Sequence, residues 1–312
     1  MKQHIITIAF VFFFCYAFYM DFKILPPTDD WIFKLLFGDE RNKSMLIDLL
    51  KAFVELPQEE YELSFLDTSL KPENEDDKLG ILDVKVKTKT GKVIDIEIQV
   101  NPERNIGQRL SFYKSKLIVE QIGKGELYHV IQKVICICIT NYELFPEANE
   151  YVNIFRFTNK KNGLIFEVIP EEIYTLELPK VPALSDGSAG WEWLQFLRAK
   201  RKEEFEMVAV KNPEIRKAVD TLYQLSSDEQ IQAEHERRLK AWRDRASQIE
   251  GSFLDGKQEG KREGKREGIQ EGKKEGKRDT AIEIARKMKT DNVSMNQIIK
   301  YTGLTEEQIK SL

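Results

Sequence analysis

The sequence predicts an α/β fold, a sheet flanked by helices, and three observations predict it. Residues 81–87 and 93–100 alternate apolar and polar side chains and are rich in β-branched types. They flank the turn Thr90-Gly91-Lys92, so they read as two antiparallel strands of one hairpin. Residues 109–121 bring Leu110, Tyr113, Leu117 and Gln121 near one face of a helix, and residues 134–140 form an apolar run typical of a buried strand. Strand, strand, helix, strand in that order is the start of an α/β core.

The hairpin has one charged face. On its second arm Asp95, Glu97 and Gln99 point one way and Ile94, Ile96, Ile98 and Val100 the other; the first arm sorts Asp83, Lys85 and Lys87 against Leu82, Val84 and Val86. For the two apolar sets to share a face, the loop must hold an odd number of residues. A three-residue loop sets Asp83 across from Gln99 and diagonal to Glu97, whereas a five-residue loop sets Asp83 directly across from Glu97. Either way one carboxylate from each strand reaches the same surface. Such a hard-oxygen pair suits Mg²⁺ or Mn²⁺, which keep waters for substrate phosphate oxygens. The plainer reading of the same pattern is a solvated sheet face with Asp and Lys paired across the strands.

Composition narrows the function classes. The 312-residue chain has a net charge of -4 with 32% charged residues, so a nucleic-acid partner would have to be met by local patches. Cys15, Cys136 and Cys138 are too few and too poorly spaced for a disulfide framework or a zinc site, and Cys136 and Cys138 read as small apolar residues of a buried strand in a reducing cytoplasm. His4, His129 and His235 lie in unrelated contexts, and no P-loop, GxSxG or HExxH pattern occurs. No small-molecule cofactor is expected.

Taken in order, residues 1–20 are an apolar leader at the low edge of membrane-spanning length, without a small-x-small cleavage site before Asp21. They read as an anchor, a signal peptide, or an extension upstream of a cytoplasmic start at Met20. Asp29 caps a helical segment closed by Gly38, and residues 43–55 place Met45, Leu46, Leu49, Leu50 and Phe53 at helical spacing before Pro57. Both helices should pack on the apolar side of the sheet. Residues 61–70 suit a strand or a short helix, and an acidic loop at 73–78 leads into the hairpin. Alternation at 152–157, 164–169 and 174–178 predicts three further strands, and residues 191–245 read as helical with breaks near Asn212-Pro213 and Ser226-Ser227-Asp228.

The C-terminal region divides in two. Gly256, Gly260, Gly264, Gly268, Gly272 and Gly276 recur every fourth residue among Glu, Lys and Arg. Each glycine costs a helix about 1 kcal/mol relative to alanine, so residues 251–279 are expected to be a solvated linker, with a glycine-faced helix for close self-association as the alternative. Residues 280–312 predict three short helices of helix–turn–helix character, with capping boxes at Ser294…Gln297 and Thr305…Gln308. Only Lys310 is basic on the last of them, which makes protein docking or dimerisation as well supported as DNA reading.

Asp83, followed after a glycine turn by Glu97-Ile98-Gln99, resembles the core of the PD-(D/E)xK nuclease superfamily. More particularly the chain is similar to the Rpn family of recombination-promoting nucleases. The likeness runs in order through Asp30-Trp31-Ile32-Phe33-Lys34, Phe37-Gly38, Leu82-Asp83-Val84, Ile96-Glu97-Ile98-Gln99 and Arg109…Tyr113…Lys116, then Leu176-Glu177-Leu178-Pro179-Lys180 and the glycine repeat. The resemblance implies a restriction-endonuclease-like core over residues 21–250, a mixed sheet flanked by helices with a helical C-terminal region. It further implies a metal-dependent, transposase-related DNA endonuclease in which Asp83 and Glu97 bind Mg²⁺ or Mn²⁺ and Gln99 fills the usual lysine position. A first-helix acid often completes such sites, with Glu55, Glu62 and Asp67 as candidates here. Arg109, Tyr113 and Lys116 would meet the phosphates of duplex DNA, and Lys114 would widen that surface. The missing lysine leaves a second expectation, a weakened DNA-binding or regulatory protein on the same core, with homo-oligomers held by the C-terminal repeat and helices.

Overall fold

Among the residues described by the computed structural model, 23–69, 81–166 and 171–312, six strands form one mixed sheet. The leader and the acidic loop lie outside them. The strands are β1 (Leu63–Phe65), β2 (Val84–Thr88), β3 (Val93–Gln99), β4 (Val134–Thr140), β5 (Val152–Phe155) and β6 (Glu171–Glu177), in the order β1-β2-β3-β4-β6-β5. Strands β3, β4 and β6 are parallel; β1, β2 and β5 pair antiparallel. The predicted hairpin is β2–β3, and its register resolves the loop length. Val84 faces Ile96 and Lys85 faces Asp95, which is the five-residue solution. Gly91 turns that loop at φ +96°, and a Cβ there would meet Gln132 Cγ at 2.9 Å, so glycine is required twice over.

Helices cover both faces. The apolar hairpin side, with Val84, Val86, Ile94, Ile96 and Ile98, joins Ile135, Ile137 and Ile139 of β4 in the main core. Against it pack α1 (Asp30–Phe37), α2 (Lys43–Lys51), α4 (Ala189–Arg198), α5 (Lys202–Val208) and α6 (Pro213–Ser227). Asp29 caps α1 as predicted, accepting from the Trp31 and Ile32 N–H groups, and Gly38 closes it. The opposite side is covered by α3 (Ile106–Val119), whose Leu117 packs with Leu82, Val93, Val134 and Cys136 while Ile106 and Leu110 pack with Cys138. The cysteines are therefore core residues, and burial pushes both thiols up, Cys138 to about 12.

Two strand expectations change. Residues 61–70 yield the short strand β1, while the strand predicted at 164–169 reduces, over its described part, to a single bridge between Thr158 and Ile165. Leu164 and Phe166 stay exposed, so this alternation has no second layer to bury its apolar set.

Two compact units divide the chain, Met1–His235 and Glu236–Leu312. The stretch expected as a linker is helical throughout, inside α7 (Glu229–Thr290). Opposite charges stand three apart, as in Glu259 with Arg262 and Glu271 with Lys274, which offsets part of the loss at each glycine. In the second unit, Ala285 of α7 packs with Ile298 of α8 (Met295–Thr302), Leu304, and Ile309 of α9 (Glu306–Lys310). The capping box at Thr305 forms in both directions, whereas Ser294 bonds the Gln297 side chain at 3.0 Å instead of the backbone. No helix among the described residues is long and apolar enough to cross a membrane.

Candidate active site

Asp83 and Glu97 meet where β2 begins and β3 approaches its carboxyl end. They are interlocked: the Asp83 N–H donates to Glu97 Oε1 at 3.1 Å, and the Ile98 N–H donates to Asp83 Oδ2 at 2.9 Å. Two side chains thus replace the backbone pairing that β2 would have continued, and both carboxylates are fixed by the strand ends. The charged face is not solvated. Because α3 lies over it, Asp95 is 0% exposed, Glu97 2%, Lys85 7% and Asp83 8%.

The cross-strand ion pairing of the plainer reading also fails. Lys85 stands opposite Asp95 in register, yet its ammonium bonds Glu120, just past the end of α3, at 2.9 Å. No nitrogen or oxygen donor reaches either oxygen of Asp95, and the one side-chain hydrogen bond acting on it comes from the weakly donating Cys136 thiol of β4. Positive charge reaches the cluster from two other elements. Lys34 of α1 lies 3.1 Å from Asp83 Oδ1, and Arg109 of α3 lies 3.7 Å from Glu97 Oε2 while bonding Glu103 at 2.8 Å.

This compensation is incomplete. Burial, then the charges of Asp95 and Asp83, push the Glu97 carboxyl up to about 9; burial, then Asp83, pushes Asp95 to about 8. Asp83 is raised by burial and by Asp30 in the first turn of α1, against the Ile98 N–H and Lys34, which hold it down. Three acids are thus buried close together, with Lys34 directed at Asp83 and Arg109 at Glu97. No three His, Cys, Asp or Glu residues among those described stand as a ready metal cage.

The remaining predicted residues fall in several places. Gln99 ends β3 on the face of Glu97 and is half-buried. Tyr113 is half-buried against Leu82 and Val134, with the Arg109 guanidinium 5.7 Å from its ring centroid. Arg109 faces the acids, so its charge is already engaged. Lys116 is half-buried on α3, and Lys114 is tied to Glu171 at 2.9 Å. Among the proposed third acids, Glu62 pairs with Lys89 at the turn end of the hairpin, far along the strands from Asp83, and Asp67 caps its own loop at Ser69. Glu55 is exposed beyond α2.

The acids coupled to Asp83 through charge are Asp30, which raises it, and Asp95, which it raises in turn. Sequence reasoning missed both in this role, along with Lys34. The spacing of Asp30 and Lys34, four apart on one helix, is the signal that marks them as neighbours on one face. Asp95 carries the same two-residue alternation as Glu97.

No curated protein and no solved structure matches the chain. A family model of PD-(D/E)XK nuclease family transposases matches residues 27–252, a span holding the whole sheet, its helices and the interlocked Asp83–Glu97 pair, and the chain belongs to that family.

Proposed function

We propose that the chain is a metal-dependent DNA endonuclease of low sequence specificity, acting in transposase-related recombination. The observation that carries this reading is the interlocked pair, two carboxylates held by reciprocal backbone bonds in a buried, cation-poor cluster. Buried acids kept without full compensation are functional candidates rather than stabilising ones.

Asp83 and Glu97 would hold Mg²⁺ or Mn²⁺. When bound, the ion polarises the phosphodiester and acidifies a water. Gln99, two residues beyond Glu97 on the same face, orients that water. Lys34, at 3.1 Å from Asp83, supplies the ammonium that Gln99 cannot, from α1 instead of β3. Arg109, 3.7 Å from Glu97, offsets part of that carboxylate's charge. Tyr113 and Lys116 meet the backbone of duplex DNA, contacts that position the duplex without reading its sequence. Because the carboxyls must lose their protons to bind a cation, metal affinity rises with pH through the neutral range.

The test is supercoiled plasmid with Mg²⁺. Nicking should occur and should vanish in Asp83→Ala and Glu97→Ala; nicking that persists in both variants ends the hydrolase reading. The glutamine at position 99 favours one other reading, a DNA-binding protein of weakened activity. DNA retention in EDTA with no cleavage in metal would select it.

A further inference from the structure

A second feature sits at the carboxyl ends of the parallel strands. A cavity of about 490 Å³ opens beside Asn141, directly after β4, and Leu178, directly after β6, and is walled by Trp191, Arg198, Lys200 and Met207 of the α4–α5 region. In open sheets with parallel strands, ligands bind in crevices outside the carboxyl ends. The cavity adjoins the end of the strand that carries the acids, where the Asn141 N–H donates to the Gln99 carbonyl at 2.9 Å.

Its walls combine two chemistries. The Trp191 indole is held by its Nε1–H on the Pro182 carbonyl at 2.8 Å, and the Gln195 amide donates to the same oxygen at 2.9 Å, so the aromatic wall is fixed. Arg198 and Lys200 line the cavity and are exposed, and the next two residues, Arg201 and Lys202, add exposed positive charge to the same segment. One acid, Glu204, lines the cavity, but its carboxylate is taken by the Lys200 N–H at 2.8 Å and by Arg201, and Glu206 pairs with Arg216. Among the described residues Lys200 has no ion-pair partner, and Arg198 spends one guanidinium nitrogen on the Val181 carbonyl.

We infer that this cavity is a subsite for one unpaired nucleotide of the DNA strand flanking the cut, its base against Trp191 and its phosphate against Lys200 and Arg198. The inference rests on the nuclease reading above. A paired base cannot enter a recess of this kind, whereas a base swung out of the helix offers the apolar face that an aromatic wall takes, and the basic mouth suits its backbone. A cavity of this volume lies in the range of small-ligand sites.

The experiment compares, in EDTA, a fluorescently labelled blunt duplex with the same duplex carrying a short unpaired tail, read by anisotropy on the full chain. The tail should tighten binding roughly tenfold, the worth of one stacked base. Met207→Trp, which fills the mouth from an exposed position, should remove that preference, and Lys200→Ala should reduce it several-fold. Lys160→Glu, an exposed charge change elsewhere, should leave it intact. Equal affinity for both duplexes, or a preference untouched by Met207→Trp in a protein that melts normally, overturns the subsite. Because no cleavage enters the assay, the two readings fail separately. Equal affinity with Asp83-dependent nicking removes the subsite alone; a tail preference without nicking removes only the hydrolase.

Discussion

Glu97 and Glu177 are buried on the same face of the same sheet, two strands apart, and they are treated in opposite ways. Glu177 is 0% exposed and fully served: Leu144 N–H at 2.8 Å, Phe145 N–H at 3.3 Å, the Lys180 ammonium at 2.8 Å and the Asn153 amide at 3.3 Å all point at its carboxylate. Lys180 also donates to the Phe145 carbonyl at 2.6 Å, so the pair pins the loop that follows β4. Glu97 has one backbone donor, a distant guanidinium and two acids for neighbours. A satisfied buried charge organises structure, while an unsatisfied one costs stability.

The contrast can be broken at either end. Glu177→Ala should produce the largest loss, about 3–5 kcal/mol in chemical unfolding, because it strands the Lys180 ammonium in the core. Glu97→Gln should do the reverse, leaving the metal-free protein as stable or more so while plasmid nicking falls at least about 100-fold, equivalent to about 2.7 kcal/mol. A Glu97→Gln protein that is strongly destabilised would make the two glutamates alike.

Asp95 sharpens the comparison through pH. Its folded carboxyl lies at about 8, above the ordinary value of 3.8, so the folded state binds the extra proton. That contribution to stability is complete below about pH 4 and is lost as pH rises through 8. Asp95→Asn should therefore stabilise the metal-free protein by about 1–2 kcal/mol at pH 9, within the range for relieving an unsatisfied buried group, and by little near pH 4. Melting curves at the two pH values check it. The smallest effect belongs to the second unit. Gly264, which meets nothing within 4 Å at its Cβ position, should gain somewhat under about 1 kcal/mol of helix stability on change to alanine, read as raised helicity by circular dichroism.

Much of the core was legible because period-two alternation and short turns are local. The hairpin, the helix after it and β4 all follow from residue order, and parity limited the register to two choices. Loop length then decided between them, which required the closure around Gly91. What alternation does not carry is the identity of the second layer. Asp83, Lys85, Asp95 and Glu97 have the same pattern whether water or α3 covers them, so burial of the charged face had to come from the fold. Lys34 and Asp30 belong to a helix some fifty residues upstream of Asp83, and their convergence on it is a tertiary fact. The glycine repeat misled for the opposite reason, since single-residue propensity counts against a helix that runs unbroken between helical flanks, with opposite charges three apart.

The central claim, that Asp83 and Glu97 form a site short of a cation, is tested most directly by melting the metal-free protein with and without Mn²⁺ at pH 8. The account predicts that Mn²⁺ at a hundredfold excess over its Kd raises the wild-type melting temperature by roughly 5 °C or more, and that Glu97→Gln abolishes the shift. An equal shift in both proteins, or none in the wild type, would contradict it.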